Sequence, residues 1–560
     1  MSGPLVSASA AFVAKNSRIP TFAIEQSLRF NSADSTYLYR TPSSAGNQRT
    51  WTWSVWLKRG SLGTEQNLFT PQYGGDGSNE NQLQFLADDT FRIYDSGGTW
   101  LLFDTTQVFR DPSAWFHLVI AVDTTQATST DRFKLYINGV QVTVFDQSLY
   151  PVQDRQLGWN SAVRHDIGRY AQGASKYFNG YMAEFHMVDG TALDHEDFGE
   201  FDDSGVWRPI EVSGLTYGTN GFYLKFDPSA TNGIGHDHSG NGNNFTPTGF
   251  TTSGTGTDVM SDTPTNNFMT WNPIVPRTDQ TYTWLGVLSE GNLKGTNSGV
   301  TYNAENFGTI LLPSSDKYYW ECTALANVSG EYRFGCVAAS AKGSPDSNTG
   351  LVYRSSGVVY LNGSPTTSES SWTTNDIISF AADIDGNTLK TYKNGTLEGT
   401  YTSFFQSGKQ YSAYFFCDES GSSNKQWILN AGQREFAYPP GTASATSYFN
   451  TVTYTGNGST QSITGVGFQP DFVWIKKRDS TGNHMLTDVV RGPNTEINSN
   501  TTAAETANTN ALTSFDTDGF SVGADGAVNI NNETLQAWCW KAGGERRRSG
   551  PHPRTAATRR

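Results

Sequence analysis

Charge is scarce in this sequence. Asp, Glu, Lys and Arg make up only 16% of its 560 residues, which is far from the Ala/Glu/Lys/Leu-rich composition of helical proteins. Basic residues are the scarcer sign: 39 Lys and Arg stand against 53 Asp and Glu, a net charge of -14. A polyanion would be repelled over most of such a surface, which argues against a nucleic-acid partner. Cysteine is rare as well. Cys322, Cys336, Cys417 and Cys539 show no C-x-x-C spacing, so a zinc or dithiol motif is excluded. Their strand-like, aromatic neighbours predict buried free thiols, with disulfides as the alternative and Cys322 with Cys336, facing across a hairpin, as the candidate pair. No run approaches the roughly 20 apolar residues of a membrane helix, so membrane insertion is not expected. The start, Met1 to Lys15, lacks the positive charge and long apolar core of a secretory signal.

Glycine and aromatics are abundant instead: 57 Gly, 15 Trp, 25 Tyr and 33 Phe. With many Thr, Ser and Asn, this is the composition of short strands joined by polar turns. Trp51 to Leu57, Gln82 to Leu86 and Thr90 to Tyr94 alternate apolar and polar residues, the period of a half-buried strand. Arg132 to Val142 carries Asn138-Gly139, a pair suited to a type I′ hairpin turn. A chain this long needs more than one core.

Three blocks resemble known modules. In the first, Trp115-Phe116-His117-Leu118, then Leu135-Tyr136-Ile137-Asn138-Gly139, then Phe178-Asn179-Gly180-Tyr181-Met182-Ala183-Glu184-Phe185-His186-Met187-Val188-Asp189-Gly190 resemble laminin-G-like domains of the concanavalin A-like lectin/glucanase superfamily. The match spans 22–250. The pieces Phe222 to Asp227 and Asp237 to Phe245 also resemble such modules, although they usually open the module and here close it. In the second block, 281–442, Tyr318-Tyr319-Trp320-Glu321, Trp372 with Asp376-Ile377-Ile378, Tyr392-Lys393-Asn394-Gly395 and Gly432-Gln433 with Phe436 occur in the order of a SPRY domain. In the third, 443–544, Phe472 to Lys477, Phe515 to Gly523 and Thr534 to Trp540 resemble C-terminal modules of structural proteins of marine bacteriophages. The resemblances imply an all-β chain: tandem antiparallel β-sandwiches, jelly-roll lectin-like and then SPRY-like, with a smaller C-terminal β module. An N-terminal arm (1–21), a Thr/Asn/Pro-rich linker (251–280) and a basic tail (545–560) complete the division. Phe268, Met269 and Trp271 are too apolar to be left in water, so the linker is expected to pack against a domain.

No catalytic constellation is evident. Retaining glycosidases need two carboxylates about 5–5.5 Å apart, but Glu184 and Asp189, five apart, fall on opposite faces of a regular strand. The eight histidines are scattered, no G-x-S-x-G marks a nucleophile, and no phosphate-binding loop is present. The candidate cation site is Asp237 with Asn241 and Asn243, of the oxygen-donor type that suits Ca²⁺. The same residues make an ordinary Asx-turn loop, and Asp516-Thr517-Asp518-Gly519 carries the same pair of readings. Trp100, Tyr170, Tyr177 and Trp207 lie near turns of the first block and are the candidates for stacking on sugars.

The expectation is therefore a non-enzymatic virion structural protein, a bacteriophage tail or capsid fibre made in the host cytoplasm. Its partners would be other virion proteins and a host-surface glycan or protein receptor, and resemblance to phage fibres implies a homotrimer. The alternatives are a polysaccharide-degrading glycoside hydrolase and a purely architectural adaptor in the particle.

Overall fold

In the computed structural model of the chain, the described residues are 22–541 apart from 73–79, 97–98, 255, 275–286, 298–303, 327, 329–331, 340–348, 418–423 and 440–448. The expected arm at 1–21 and basic tail at 545–560 lie outside them. The chain divides into two compact units, Val6–Tyr438 and the residues from Pro439 on. Both are built almost wholly from antiparallel strands.

The first sandwich begins with β1 (Ser27–Phe30), β2 (Tyr37–Arg40), β3 (Thr50–Arg59), β4 (Gln66–Pro71), β5 (Gln82–Phe85) and β6 (Thr90–Asp95). It continues with β7 (Leu101–Val108), β8 (Phe116–Asp123), β9 (Phe133–Ile137), β10 (Val140–Gln141), β11 (Phe145–Leu149) and β12 (His165–Ile167). β13 (Gly180–Asp189), β14 (Gly199–Phe201), β15 (Trp207–Pro209), β16 (Phe222–Leu224), β17 (Thr246–Thr248) and β18 (Val259–Met260) complete it. The first sheet has the order β10-β9-β8-β3-β13-β1-β18, with β16 also on β13. The second has the order β11-β7-β6-β5-β4-β12-β2-β17.

Alternation decides which side chains meet between the sheets. In β3, Trp51, Trp53, Val55 and Leu57 enter the core, while Thr52, Ser54, Trp56 and Lys58 take the other face. Asn138 and Gly139 make the predicted turn between β9 and β10, both with positive φ, at 48° and 75°. The closing piece of the block finds its place here: β16 pairs with β13, and Phe222, Leu224, Phe226 and Phe245 join the core.

The outer face of the first sheet is also covered. From Val259 to Trp271 the supposed linker is bound structure: β18 pairs with β1, and Met269 and Trp271 enter the core of the second sandwich. Lys58 Nζ, fully buried, donates to Asp262 Oδ2, Asn267 Oδ1 and the Phe268 carbonyl, each at 2.8 Å. Arg29 donates to Asp258 at 2.6 Å and to Glu290 at 3.1 Å.

The second sandwich faces a seven-stranded sheet against a six-stranded one. Trp320, Phe380, Phe415 and Trp427 pack between them, with Phe415 stacked on Trp427 at 3.9 Å. The four cysteines are buried and free. Cys322 lies in the strand Lys317–Ala326 of one sheet and Cys336 in Tyr332–Ala338 of the other, so they are not paired across a hairpin. The C-terminal unit has a six-stranded sheet that includes Phe472–Lys477 and Thr534–Trp540, and a three-stranded sheet of Gln461–Thr464, Leu512–Asp516 and Gly519–Val522.

Candidate functional site

A pocket of about 400 Å³ opens on the outer face of the first sheet, beside the β8–β9 edge. The register that opposes Ala121 to Lys134 and Val119 to Tyr136 sets Ala121, Lys134 and Tyr136 on one face. Asp123 lies at the end of β8, Gln126 and Asp131 come from the following turn, and Ala192, Leu193 and Asp194 close the far wall. Asp194 caps the short turn His195–Asp197 reciprocally with Asp197. His195, in that turn, stacks on the Tyr136 ring at 4.5 Å. Burial would raise the Asp123 carboxyl, but hydrogen bonds from Thr125, Gln126 and Thr50 outweigh it and hold it below its usual range. The pocket thus offers carboxylate acceptors, an amide and one ammonium donor around a buried phenol ring. Together these groups can both accept from and donate to hydroxyls.

Behind the pocket lies a buried polar cluster. Within β13 the register slips, so that Ala183 opposes Trp56 and His186 opposes Ser54. Glu184 sits in this bulge with a φ of 49°. Phe185 therefore enters the core, while His186 and Glu184 come to the outer face. The Tyr223 hydroxyl donates to the Glu184 carboxylate. His186 Nδ1 is 2.8 Å from the Tyr217 hydroxyl, and its ring stacks on Tyr223 at 4.1 Å. His117 Nε2 is 2.8 Å from Ser54 Oγ, and Trp207 Nε1 donates to His117 Nδ1 at 3.1 Å. Burial pushes the Glu184 carboxyl up to about 7 and the His117 imidazole down to about 3. His186 is driven down in the same direction.

Asp189, at the end of β13, does different work. It accepts the backbone N–H groups of Asn47 at 2.7 Å and Asn220 at 2.9 Å. Glu184 and Asp189 serve separate clusters and do not form a carboxylate pair.

The four aromatic candidates do not converge. Trp207 is buried at 8% exposure, where it covers His117 and cannot present a face to a ligand. Trp100 packs on the core beneath the Arg155 guanidinium, 4.6 Å away. Tyr170 donates its hydroxyl to Glu80 at 2.7 Å. Tyr177 lies near Tyr37 of the second sheet, with ring centroids 6.4 Å apart.

The proposed cation loop is held by its own donors. Asp237 accepts the backbone N–H groups of Tyr223, Ser239 and Asn243, and the Ser239 hydroxyl. Asn241 and Asn243 turn their amide N–H₂ groups toward the carbonyls of Gly218, Gly221 and Thr219. The Asn243 oxygen accepts from Arg40. A cation at Asp237 would have to displace these donors, so the geometry is that of an Asx loop, not a calcium cradle. Asp518 likewise accepts the N–H groups of Gly465 and Gly467. Among the described residues, no three His, Cys, Asp or Glu side chains are grouped as metal ligands.

Lys134, Tyr136 and Asp194 had no sequence signal as a site. The two-residue spacing within β9 does place Lys134 and Tyr136 on one face, but Asp194 arrives from a distant loop.

Residues 32–197 match the Concanavalin A-like lectin/glucanases superfamily. Residues 444–549 match a domain of unknown function, DUF7483. No curated protein matches the chain. Among solved structures, the chain is similar to the SPRY domain of human HERC1, at 20% identity over 26% of this chain and 91% of that one, with a TM-score of 0.21. It is similar to a heptameric SAP-like pentraxin from Limulus polyphemus at 13% identity, over 31% of this chain and 80% of that one, with a TM-score of 0.24. The TRIM65 PSpry domain is similar at 13% identity, over 29% of this chain and 92% of that one, with a TM-score of 0.20. The molecule is thus an all-β chain whose residues 32–197 carry the concanavalin A-like match.

Proposed function

We propose that this chain is a non-enzymatic bacteriophage virion structural protein, a tail or capsid fibre whose first sandwich binds a host-surface glycan. The observation that carries the binding role is the polar pocket over Tyr136. Its mixed lining of Asp123, Gln126, Asp131, Lys134 and Asp194 suits hydroxyl groups, which both donate and accept. The resemblance of the C-terminal block to phage structural modules supports the virion setting. Several such pockets in an oligomeric fibre would gain by avidity what a single shallow site lacks.

The test is a glycan array with the purified chain, followed by titration of a neutral hexasaccharide hit. Lys134→Ala and Asp194→Asn should each weaken binding about tenfold, the loss of one or two hydrogen bonds. Silence on the array, together with stable incorporation into particles, would favour the architectural reading. Location of the protein inside the particle, away from its surface, would refute receptor binding.

A second reading, a polysaccharide depolymerase, would need Glu184 as its acid, a carboxyl that lies outside the pocket lining and is buried against Tyr223. Turnover of a polysaccharide that Glu184→Gln abolishes would establish it.

A further inference from the structure

Away from the pocket, the second sheet of the first sandwich carries a ladder of alternating tyrosine rings and guanidinium groups. Tyr37 and Tyr39, two apart in β2, project from the same face. Arg164, just before β12, lies over Tyr39 at 4.0 Å and near Tyr37 at 5.6 Å. Arg169 lies over Tyr37 at 3.5 Å and 6.0 Å from Tyr177. The order along the stack is therefore Tyr39, Arg164, Tyr37, Arg169, Tyr177.

One carboxylate serves both cations. Asp166, fully buried, accepts from Arg164 Nε at 2.6 Å and Nη2 at 3.2 Å, and from Arg169 Nε at 2.6 Å. Two guanidiniums over one carboxylate leave a net positive charge, on a chain whose total is -14. The charge is accessible: the Arg164 side chain is 28% exposed, and the rings of Tyr37, Tyr39 and Tyr177 are half-buried. Tyr37 responds to this field. Burial would raise its phenol, but hydrogen bonds from Thr248 and Arg164 and the charges of Arg169 and Arg164 bring it below its ordinary value.

We infer that this ladder is a second saccharide site, and that it takes an acidic sugar, with a uronate carboxylate or sulfate group on the outer edge of the Arg164 guanidinium. Asp166 takes the Nε and Nη2 fork of Arg164, so the oxyanion would meet the guanidinium's remaining outer N–H groups while its face stays on Tyr39. The acidic remainder of the chain disfavours a long polyanion, so a short acidic saccharide fits better than a nucleic acid. The inference rests on the glycan-binding reading and gives it a chemical class.

The test uses the full chain and three hexasaccharides: galacturonate, a sulfated galactan fragment and neutral maltohexaose. Calorimetric titration should show binding of the two acidic probes, weakened by added salt. Arg164→Gln should weaken it at least tenfold. Because Arg164 also helps seat Asp166, a second variant leaves the ladder intact. Thr246 is exposed on the edge strand β17, directly opposite Tyr39, and Thr246→Glu adds a negative charge beside the site. It should weaken the acidic probes as Arg164→Gln does and leave the thermal melt unchanged. Equal binding of maltohexaose at this site, or acidic binding that neither variant alters, would overturn the inference. Acidic binding lost in Lys134→Ala but kept in Arg164→Gln would also overturn it while leaving the pocket reading standing. No saccharide binding at all would end both.

Discussion

Replacing Glu184 by Gln should stabilise the first sandwich at alkaline pH and do nothing at acid pH. Glu184 is almost wholly withdrawn from water, where the Tyr223 hydroxyl donates to its carboxylate. Its carboxyl moves from an ordinary 4.5 to about 7, chiefly through desolvation. The folded state therefore holds a proton there that the unfolded chain releases between these values. A raised carboxyl stabilises the fold below pH 4.5, and that contribution is lost as pH rises toward 7. The size is ~3 kcal/mol, from about 1.4 kcal/mol for each tenfold change in ionisation. Gln keeps the shape and an oxygen for Tyr223 but cannot ionise. At pH 8 the variant should gain up to ~3 kcal/mol, seen as a rise of about 1 M in the urea midpoint. At pH 4.5 the gain should vanish. His117 and His186 run the opposite way: buried neutral, they stabilise the fold above pH 6.5, and this is lost as pH falls toward about 3 for His117. In the wild type the two trends offset each other between pH 4.5 and 6.5, so Glu184→Gln should unmask a steeper loss of stability in acid. Urea titrations at pH 4.5, 6 and 8, followed by tryptophan fluorescence, measure this. A gain independent of pH, or a loss at pH 8, would refute the placement of Glu184 in a dry cluster.

Other consequences follow from single contacts. Asp262→Ala leaves the fully buried Lys58 ammonium without its carboxylate, and should cost ~3–5 kcal/mol in denaturant titrations. Gly139→Ala should destabilise by at least ~1 kcal/mol, because the turn needs a positive φ of 75° and a methyl group there would strike the Trp207 ring. The melting temperature reads this directly, and an unchanged melt would place Trp207 elsewhere. All four cysteines should resist a thiol reagent in the native chain and react on unfolding. Each is buried, and burial pushes the Cys539 thiol up to about 12 and that of Cys322 well above its usual value.

Much of the fold was legible because its signals are local. The alternation from Trp51 to Leu57 and the Asn138-Gly139 turn each need only a few neighbouring residues to specify strand, face and hairpin. The candidate site was far less legible. Trp207 looked available beside a turn, yet its hairpin folds onto the first sheet and spends the ring on His117. Glu184 would face one way on a regular strand, but a bulge sets it beside His186. The Asp237 loop carried the residue types of a cation site, and its carboxylate is occupied by backbone N–H groups from Tyr223 and Asn243.

The all-β class, many strand faces and the buried thiols are written in short stretches of chain. Each follows from a period of two, from turn chemistry or from apolar neighbours, and these act over a few residues. Which polar groups meet is fixed at the level of the packed sheets. The pocket joins β8 and β9 to the loop at Asp194, and the ladder joins β2 to residues before and after β12. Those meetings depend on sheet order, and sheet order is set by how two whole faces pack rather than by any one stretch of chain.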